Sequence, residues 1–429
     1  MLMSTPPSDN STTLELQALS FQTGSVFTPG APINDRELFA GRIGQVEKII
    51  DAVSQRGYHA ILYGERGVGK TSLSNMIAAV LGRRQAFLIS RTTCDATDTF
   101  SSLWTKALKD IEASKHQNTV AFTGNTLAPA IDLSSHTATP DSVRRALQDL
   151  SKTSALIIIF DEFDRIKRAD LIAAMADTIK ALSDYSVNAT IFIIGVADSV
   201  DELIREHQSI ERALIQIPMP RMSDDEIRGI IDNGLRRLTI GIDDTAREDL
   251  VRLSQGVPYI THLLCINTCR AALAAGRRTI FPPHVEQGMT RALDQWQQSV
   301  KSAYAEATRS PQPGHIYQEV LLACALAEVD ELRYFTVGAV REPLRRMTGR
   351  DYEITNFARH LKDLSEPVRG RILQRVEETF RLRYRITNPI MRPYIVMRGI
   401  KDKLISKELL DAAASGRGHA EPTPNLTGV

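Results

Sequence analysis

The 429 residues are 43% hydrophobic and 24% charged, which excludes wholesale disorder, a collagen-like chain and a multi-span membrane protein. At roughly 150 residues per domain this length predicts about three domains. Lys and Arg number 52 against 51 Asp and Glu, so any nucleic-acid surface must be a local feature. Residues 1–30 are Ser/Thr/Pro-rich and predict a disordered N-terminal arm. No Lys or Arg precedes Arg36, so neither a signal peptide nor an Arg-rich transit peptide is expected. From residue 31 to 220 short apolar runs at 59–63, 87–89, 155–160, 191–194 and 214–218 alternate with helical periodicity, which predicts an α/β core around a parallel sheet. Within it, 113–139 reads as a long Ser/Thr/Gly loop. After Pro220 the strands stop: 221–308 reads as helices only, opened by a capping box at Ser223-Asp-Asp-Glu226. A Pro/Gly-punctuated linker follows at 310–314, then a module at 315–405 and a disordered tail at 411–429. Cys94, Cys265, Cys269 and Cys324 lack metal-ligand spacing and read as buried thiols in a reducing cytoplasm. No apolar run approaches the roughly 18 residues of a membrane span, so no membrane association is expected.

Chemistry concentrates in two motifs. Gly64-Glu65-Arg66-Gly67-Val68-Gly69-Lys70-Thr71 matches G-x-x-x-x-G-K-[ST], follows one predicted strand and opens a predicted helix at Ser72. Its glycines allow main-chain N–H groups to turn inward around a phosphate. Lys70 then reaches the β- and γ-phosphates, the Thr71 hydroxyl coordinates Mg²⁺, and the helix N-terminus adds a favourable dipole. The second motif is the apolar strand ending in Asp161-Glu162, which delivers two carboxylates to the sheet edge where α/β ligands bind. Asp161 is the candidate Mg²⁺ ligand, and Glu162 the group that polarises the attacking water. For Asp164 and Arg165 a surface ion pair is expected.

The last module reads as three helices, near 315–328, 336–347 and 354–364, and two strand-like runs, 371–376 and 380–386, the layout of a winged helix. Between His315 and Lys403, 17 Lys and Arg outnumber 12 Asp and Glu. Arg359 and Lys362 fall on the third helix, Arg371 and Arg375 on the hairpin, and Arg381, Arg383 and Arg385 alternate with apolar residues. Such a surface suits double-stranded DNA. Contact with a protein partner or an internal latch is the open alternative, since Asp363, Glu366, Glu377 and Glu378 stand among the arginines.

Taken together, these motifs resemble AAA+ ATPases, most closely the Orc1/Cdc6-like and archaeal or STAND-type group with a C-terminal winged helix, over about residues 33–400. The resemblance implies an α/β P-loop core, an all-helical lid and a winged helix, with ATP and Mg²⁺ as cofactors. It further implies ATP hydrolysis to ADP and phosphate, and a homo-oligomer or hetero-complex in the ATP-bound state. Leu38-Phe-Ala-Gly41-Arg42 is similar to the family's N-terminal box, which implies that Gly41 and Arg42 help to hold adenine. Asp198 stands at the sensor 1 position. Arg212, with Arg205 as second choice, stands at the arginine-finger position, an intramolecular salt bridge being the alternative. Gly256-Val-Pro258-Tyr259 resembles the sensor 2 helix opening, with Tyr259 where Arg is common; His262 lies one turn on. That departure implies slow hydrolysis and a nucleotide switch. Its output is either engagement of DNA through the winged helix or, as in STAND-type signalling proteins, contact with protein.

Overall fold

Short apolar runs with no polar face fold as strands covered on both sides. A computed structural model describes residues 9–32, 40–82, 87–119, 138–197, 208–311, 314–330, 332–378 and 381–406. Its main sheet comprises β1 (His59–Gly64), β2 (Phe87–Thr93), β3 (Ala155–Asp161), β4 (Ala189–Val196) and β5 (Leu214–Pro218). These are the five predicted runs, four of them longer than expected. All neighbours are parallel, in the order β2-β3-β4-β1-β5. The chain divides into two compact units, Thr28–Gly234 with Gly256–Tyr259, and Met1–Phe27 with Leu235–Gln255 and Ile260–Val429.

The helices begin with α1 (Asp9–Val26), which belongs to the second unit. In the first unit, α2 (Ile43–Ser54) and α3 (Lys70–Gly82) place Ile49, Leu73 and Ile77 against Ile157 and Ile159 of β3. On the opposite face α4 (Phe100–Thr119), α5 (Pro140–Leu150) and α6 (Ala169–Asp184) place Trp104, Leu147 and Met175 against Leu156, Ile158 and Phe160. Alternate residues of one apolar strand thus feed two cores. The loop expected at 113–139 is helical as far as Thr119, and Thr139 caps α5 by accepting the Ser142 N–H at 3.2 Å; residues 120–137 lie outside the described residues. The first unit closes with the start of α7 (Asp224–Leu238), where the Ser223–Glu226 capping box is present in both directions, at 3.0 and 3.2 Å.

The second unit corrects two expectations. Its α1 stands where a disordered arm was expected. Leu16, Val26 and Phe27 are buried, Thr23 is buried while donating to Ser20 O, Phe27 meets His262 edge-on, and Glu15 pairs with Arg278 at 2.8 Å. Burial against distant residues outweighs the helix's polar composition. Nor do strands stop after Pro220: β6 (Gly241–Ile242) pairs in parallel with β7 (Thr279–Ile280). Around this pair lie α8 (Asp244–Ser254), α9 (Pro258–Ala274), α10 (Pro282–Gln295) and α11 (Gln298–Thr308).

Next come α12 (Tyr317–Leu326), β8 (Phe335–Thr336), α13 (Arg341–Thr348), α14 (Ile354–Ser365), β9 (Leu373–Glu378) and β10 (Arg381–Ile386). The last two form the predicted antiparallel hairpin, and β8 adds a third strand in the order β8-β10-β9. A final helix, α15 (Met391–Lys401), was not anticipated; its buried Arg392 donates to Ala325 O and Ala327 O at the end of α12. The predicted tail at 411–429 lies outside the described residues. Among the described residues no helix is long and apolar enough to cross a membrane.

Candidate functional site

The site lies in the first unit, at the carboxyl ends of β1 and β3. Gly64 leaves β1 so close to the next segment that a Cβ would stand 2.4 Å from Met219 O, and Gly67 and Gly69 have φ of 86° and 94°. Glycine is required at all three for steric or conformational reasons. The turn delivers Lys70 as the first residue of α3, and its ammonium donates to Gly64 O and Glu65 O, each at 2.8 Å. Thr71 and Ser72 follow, half-buried. Arg66 is exposed, whereas the Glu65 carboxylate takes a 2.7 Å ion pair from Arg221.

Burial pushes the Lys70 amine down to about 8, against the opposing pull of Asp164, Asp161 and Glu65. At pH 7 it is still an ammonium. As pH rises through 8 the proton is lost, and the neutral amine no longer attracts an anion. A bound phosphate favours the charged form, so binding above pH 8 is coupled to proton uptake. We expect affinity for a phosphate-bearing ligand to fall between pH 7.5 and 9 in wild type and to stay flat in Lys70→Arg; titrations at three pH values decide this.

Asp161, buried at the end of β3, accepts the Glu162 N–H at Oδ1 (2.9 Å) and pairs through Oδ2 with Arg91 of β2 (3.1 Å). Glu162 has φ of 57°, and its half-exposed carboxylate pairs with Arg165 at 3.0 Å. The surface pair expected between Asp164 and Arg165 is therefore not formed. Arg165 instead joins Glu162 and, at 3.5 Å, Asp95, whereas Asp164 accepts the Val196 N–H at 2.8 Å and stands near Lys70. The chain turns at Glu162 into the three-residue helical turn Phe163–Arg165, which separates Asp164 from Arg165. The hydroxyl of Thr71 and the carboxylate of Asp161 suit Mg²⁺, which takes one or two protein oxygens and leaves the rest to water and phosphate. Among the described residues no group of three or more His, Cys, Asp or Glu forms a metal cage.

The Arg42 side chain is committed to main-chain oxygens. Its guanidinium donates to Val68 O (3.0 Å) and Pro220 O (2.7 Å), and its main-chain N–H donates to Glu226 Oε1 (2.8 Å). A buried guanidinium thereby clamps the phosphate loop to the chain leaving β5, and burial lowers its pKa despite Glu226. Gly41 precedes it with φ of 71°, and a Cβ there would meet Glu226 Oε1 at 2.4 Å. Beside the loop, Ala40, Arg42, Val68, Met222, Ile230 and Pro258 line a shallow, open and largely apolar hollow. Gly256, with φ of 71°, accepts the Met222 N–H, which sets Pro258 against this hollow; Tyr259 is half-buried.

Arg212 is exposed at the end of the short helix Gln208–Ala213 that precedes β5. Asp198 and Arg205 lie outside the described residues. In the second unit His262 is buried against Phe27, and desolvation lowers its pKa to about 4, so it supplies no positive charge. Sequence reasoning gave no role to Arg91 or Arg221, read Asp164 as a surface ion-pair residue, and read Glu226 only as the capping partner of Ser223. For Asp164 the spacing from Asp161 was a usable signal; for Arg91 and Arg221 nothing local marks a role.

Residues 38–193 match a family model described as the AAA ATPase domain. Comparison with curated proteins finds no match. Among solved structures, the Walker-type ATPase PABY2304 of Pyrococcus abyssi superposes with a TM-score of 0.53 at 18% identity, covering 85% of this chain and 98% of that one. The ORC2 protein of Aeropyrum pernix gives 0.47 at 16%, covering 89% and 98%. Cdc6p of Pyrobaculum aerophilum gives 0.43 at 15%, covering 89% and 99%. The core is thus an α/β parallel sheet of the AAA+ P-loop NTPase kind, followed by a largely helical C-terminal region.

Proposed function

We propose that the chain is an AAA+ nucleotide switch that binds ATP with Mg²⁺ and hydrolyses it slowly. The observation that carries this reading is the Gly64–Thr71 turn, with Lys70 at its centre and Asp161 and Asp164 close by. The loop N–H groups and Lys70 would hold the phosphates, and the hollow beside Val68 and Pro258 would take the base. Thr71 and Asp161 would hold Mg²⁺, which when bound neutralises charge developing on the phosphates. Glu162 would accept a proton from the attacking water after leaving Arg165. Tyr259, at the position where the resemblance leads one to expect an arginine, supports slow turnover. Arg212, exposed before β5, would act on a neighbouring subunit's nucleotide, making the ATP-bound form a homo-oligomer or hetero-complex. We assign 31–220 as ATPase core, 221–308 as lid and 315–405 as winged helix. We place the protein in the cytoplasm, in keeping with its four free, buried cysteines.

Engagement of duplex DNA would be the output. Arg359, Lys362, Arg371 and Arg375 are exposed, and Arg359 and Arg375 make only 3.9 Å contacts with Asp363 and Glu377. The second reading, a protein partner or latch, rests on how many other arginines of the module are engaged. Arg341, Arg345 and Arg346 pair with Asp351 and Glu342, Arg383 pairs with Asp330, and Arg385 bonds Gln374, so two of the three arginines of the alternating strand are engaged within the module. Size-exclusion chromatography with light scattering, with and without ATP–Mg²⁺ and duplex DNA, tests the assembly. For the DNA output, Arg371→Ala with Arg375→Ala is expected to lower duplex affinity and reduce the log–log salt slope by about 2. Absence of duplex affinity at physiological salt would transfer the output to a protein partner.

A further inference from the structure

Strand alternation puts Arg91 on the same side of the sheet as Ile89, which packs with Ile157, Ile159 and the residues of α3. It therefore shares the face on which the phosphate loop opens. Arg91 is about two-thirds buried, its Nε has no hydrogen-bond partner, and its terminal nitrogen meets Asp161 Oδ2 at 3.1 Å. The other carboxylate oxygen already accepts the Glu162 N–H. Both oxygens of the one strand-end carboxylate assigned to Mg²⁺ are thus in use, one of them by a cation of this chain.

We propose that Arg91 is an intramolecular competitor for Mg²⁺, a guanidinium that must give up or share Asp161 Oδ2 before the ion can bind there. The inference rests on the reading of Asp161 as the metal carboxylate. Mg²⁺ arriving at Asp161 meets a fixed positive charge a few ångströms away in a partly desolvated site. Like charges at that range, at an effective dielectric of about 20, repel by more than the free energy of one decade of affinity. Metal-loaded nucleotide then binds only above a threshold of free Mg²⁺.

The test is binding of a fluorescent ATP analogue to the full chain, first in EDTA and then across a Mg²⁺ titration, for wild type, Arg91→Gln, Arg91→Ala and Arg91→Lys. The proposal predicts a Mg²⁺ midpoint lowered by about tenfold or more in the Gln and Ala variants, with affinity at saturating Mg²⁺ kept. Arg91→Lys keeps the charge and is expected to keep the wild-type midpoint, which separates charge from any packing effect in β2. An unchanged midpoint in the neutral variants overturns the proposal. A loss of affinity at saturating Mg²⁺ also overturns it, since Arg91 would then be a phosphate ligand. Wild type that binds no nucleotide under any condition would instead remove the nucleotide site itself, a result distinct from either.

Discussion

Replacing Lys70 by alanine is expected to lower ATP affinity by at least about tenfold and up to about a hundredfold, the worth of a charge-assisted contact of 1.5–3 kcal/mol. In the structure this ammonium holds the carbonyls of Gly64 and Glu65 at 2.8 Å, at the centre of the turn that would wrap the phosphates. Its removal costs little folding stability, because a desolvated buried charge goes with it. Circular dichroism of the variant should therefore overlay that of wild type, and the loss should be read in the titration alone. An affinity within about twofold of wild type would mean that the loop does not grip phosphate.

Glu162→Gln is expected to cut ATP turnover by about 10²–10⁴-fold, the usual contribution of a positioned general base, with ATP affinity nearly unchanged. Glutamine keeps the shape of the side chain but cannot take a proton. The present contact of Glu162 with Arg165 is no obstacle to that role. Both side chains are about half exposed, and such pairs are worth at most about 1 kcal/mol. Phosphate release measured beside nucleotide affinity decides the matter. Equal losses in both would make Glu162 a binding group, and unchanged turnover would move the base elsewhere, Asp164 being the nearest candidate.

Much of the sheet unit was legible because its signals are local. A run such as Leu156–Phe160 has no polar face, so it must be covered twice, and the residues at its end must meet the ligand edge of a parallel sheet. The phosphate turn was legible for the same reason: Gly67 and Gly69 take backbone angles that few other residues tolerate. What escaped notice depends on partners remote in sequence. Arg42 reads like an adenine contact, yet its partners Val68 O and Pro220 O are main-chain atoms 26 and 178 residues away. Arg91 reads like any charged residue near a strand end until Asp161, 70 residues on, supplies its counter-ion. Helix α1 was lost because it and Phe27 beyond its end are held by residues such as Arg278 and His262, which no pattern in the first 30 residues can announce. The basic module is a further case of remote partners. The alternation Arg381-Leu-Arg-Tyr-Arg places the arginines on one strand face but does not show that Asp330 and Gln374 engage two of them.

The most direct measurement compares ATP, ADP and adenosine for equilibrium binding to the wild-type chain at pH 7 with Mg²⁺ present. If the loop around Lys70 holds the phosphate tail, ATP and ADP bind and adenosine binds at least about a hundredfold more weakly, since it forgoes the charge-assisted contacts. Equal affinity for all three, or no affinity for any, would contradict the account.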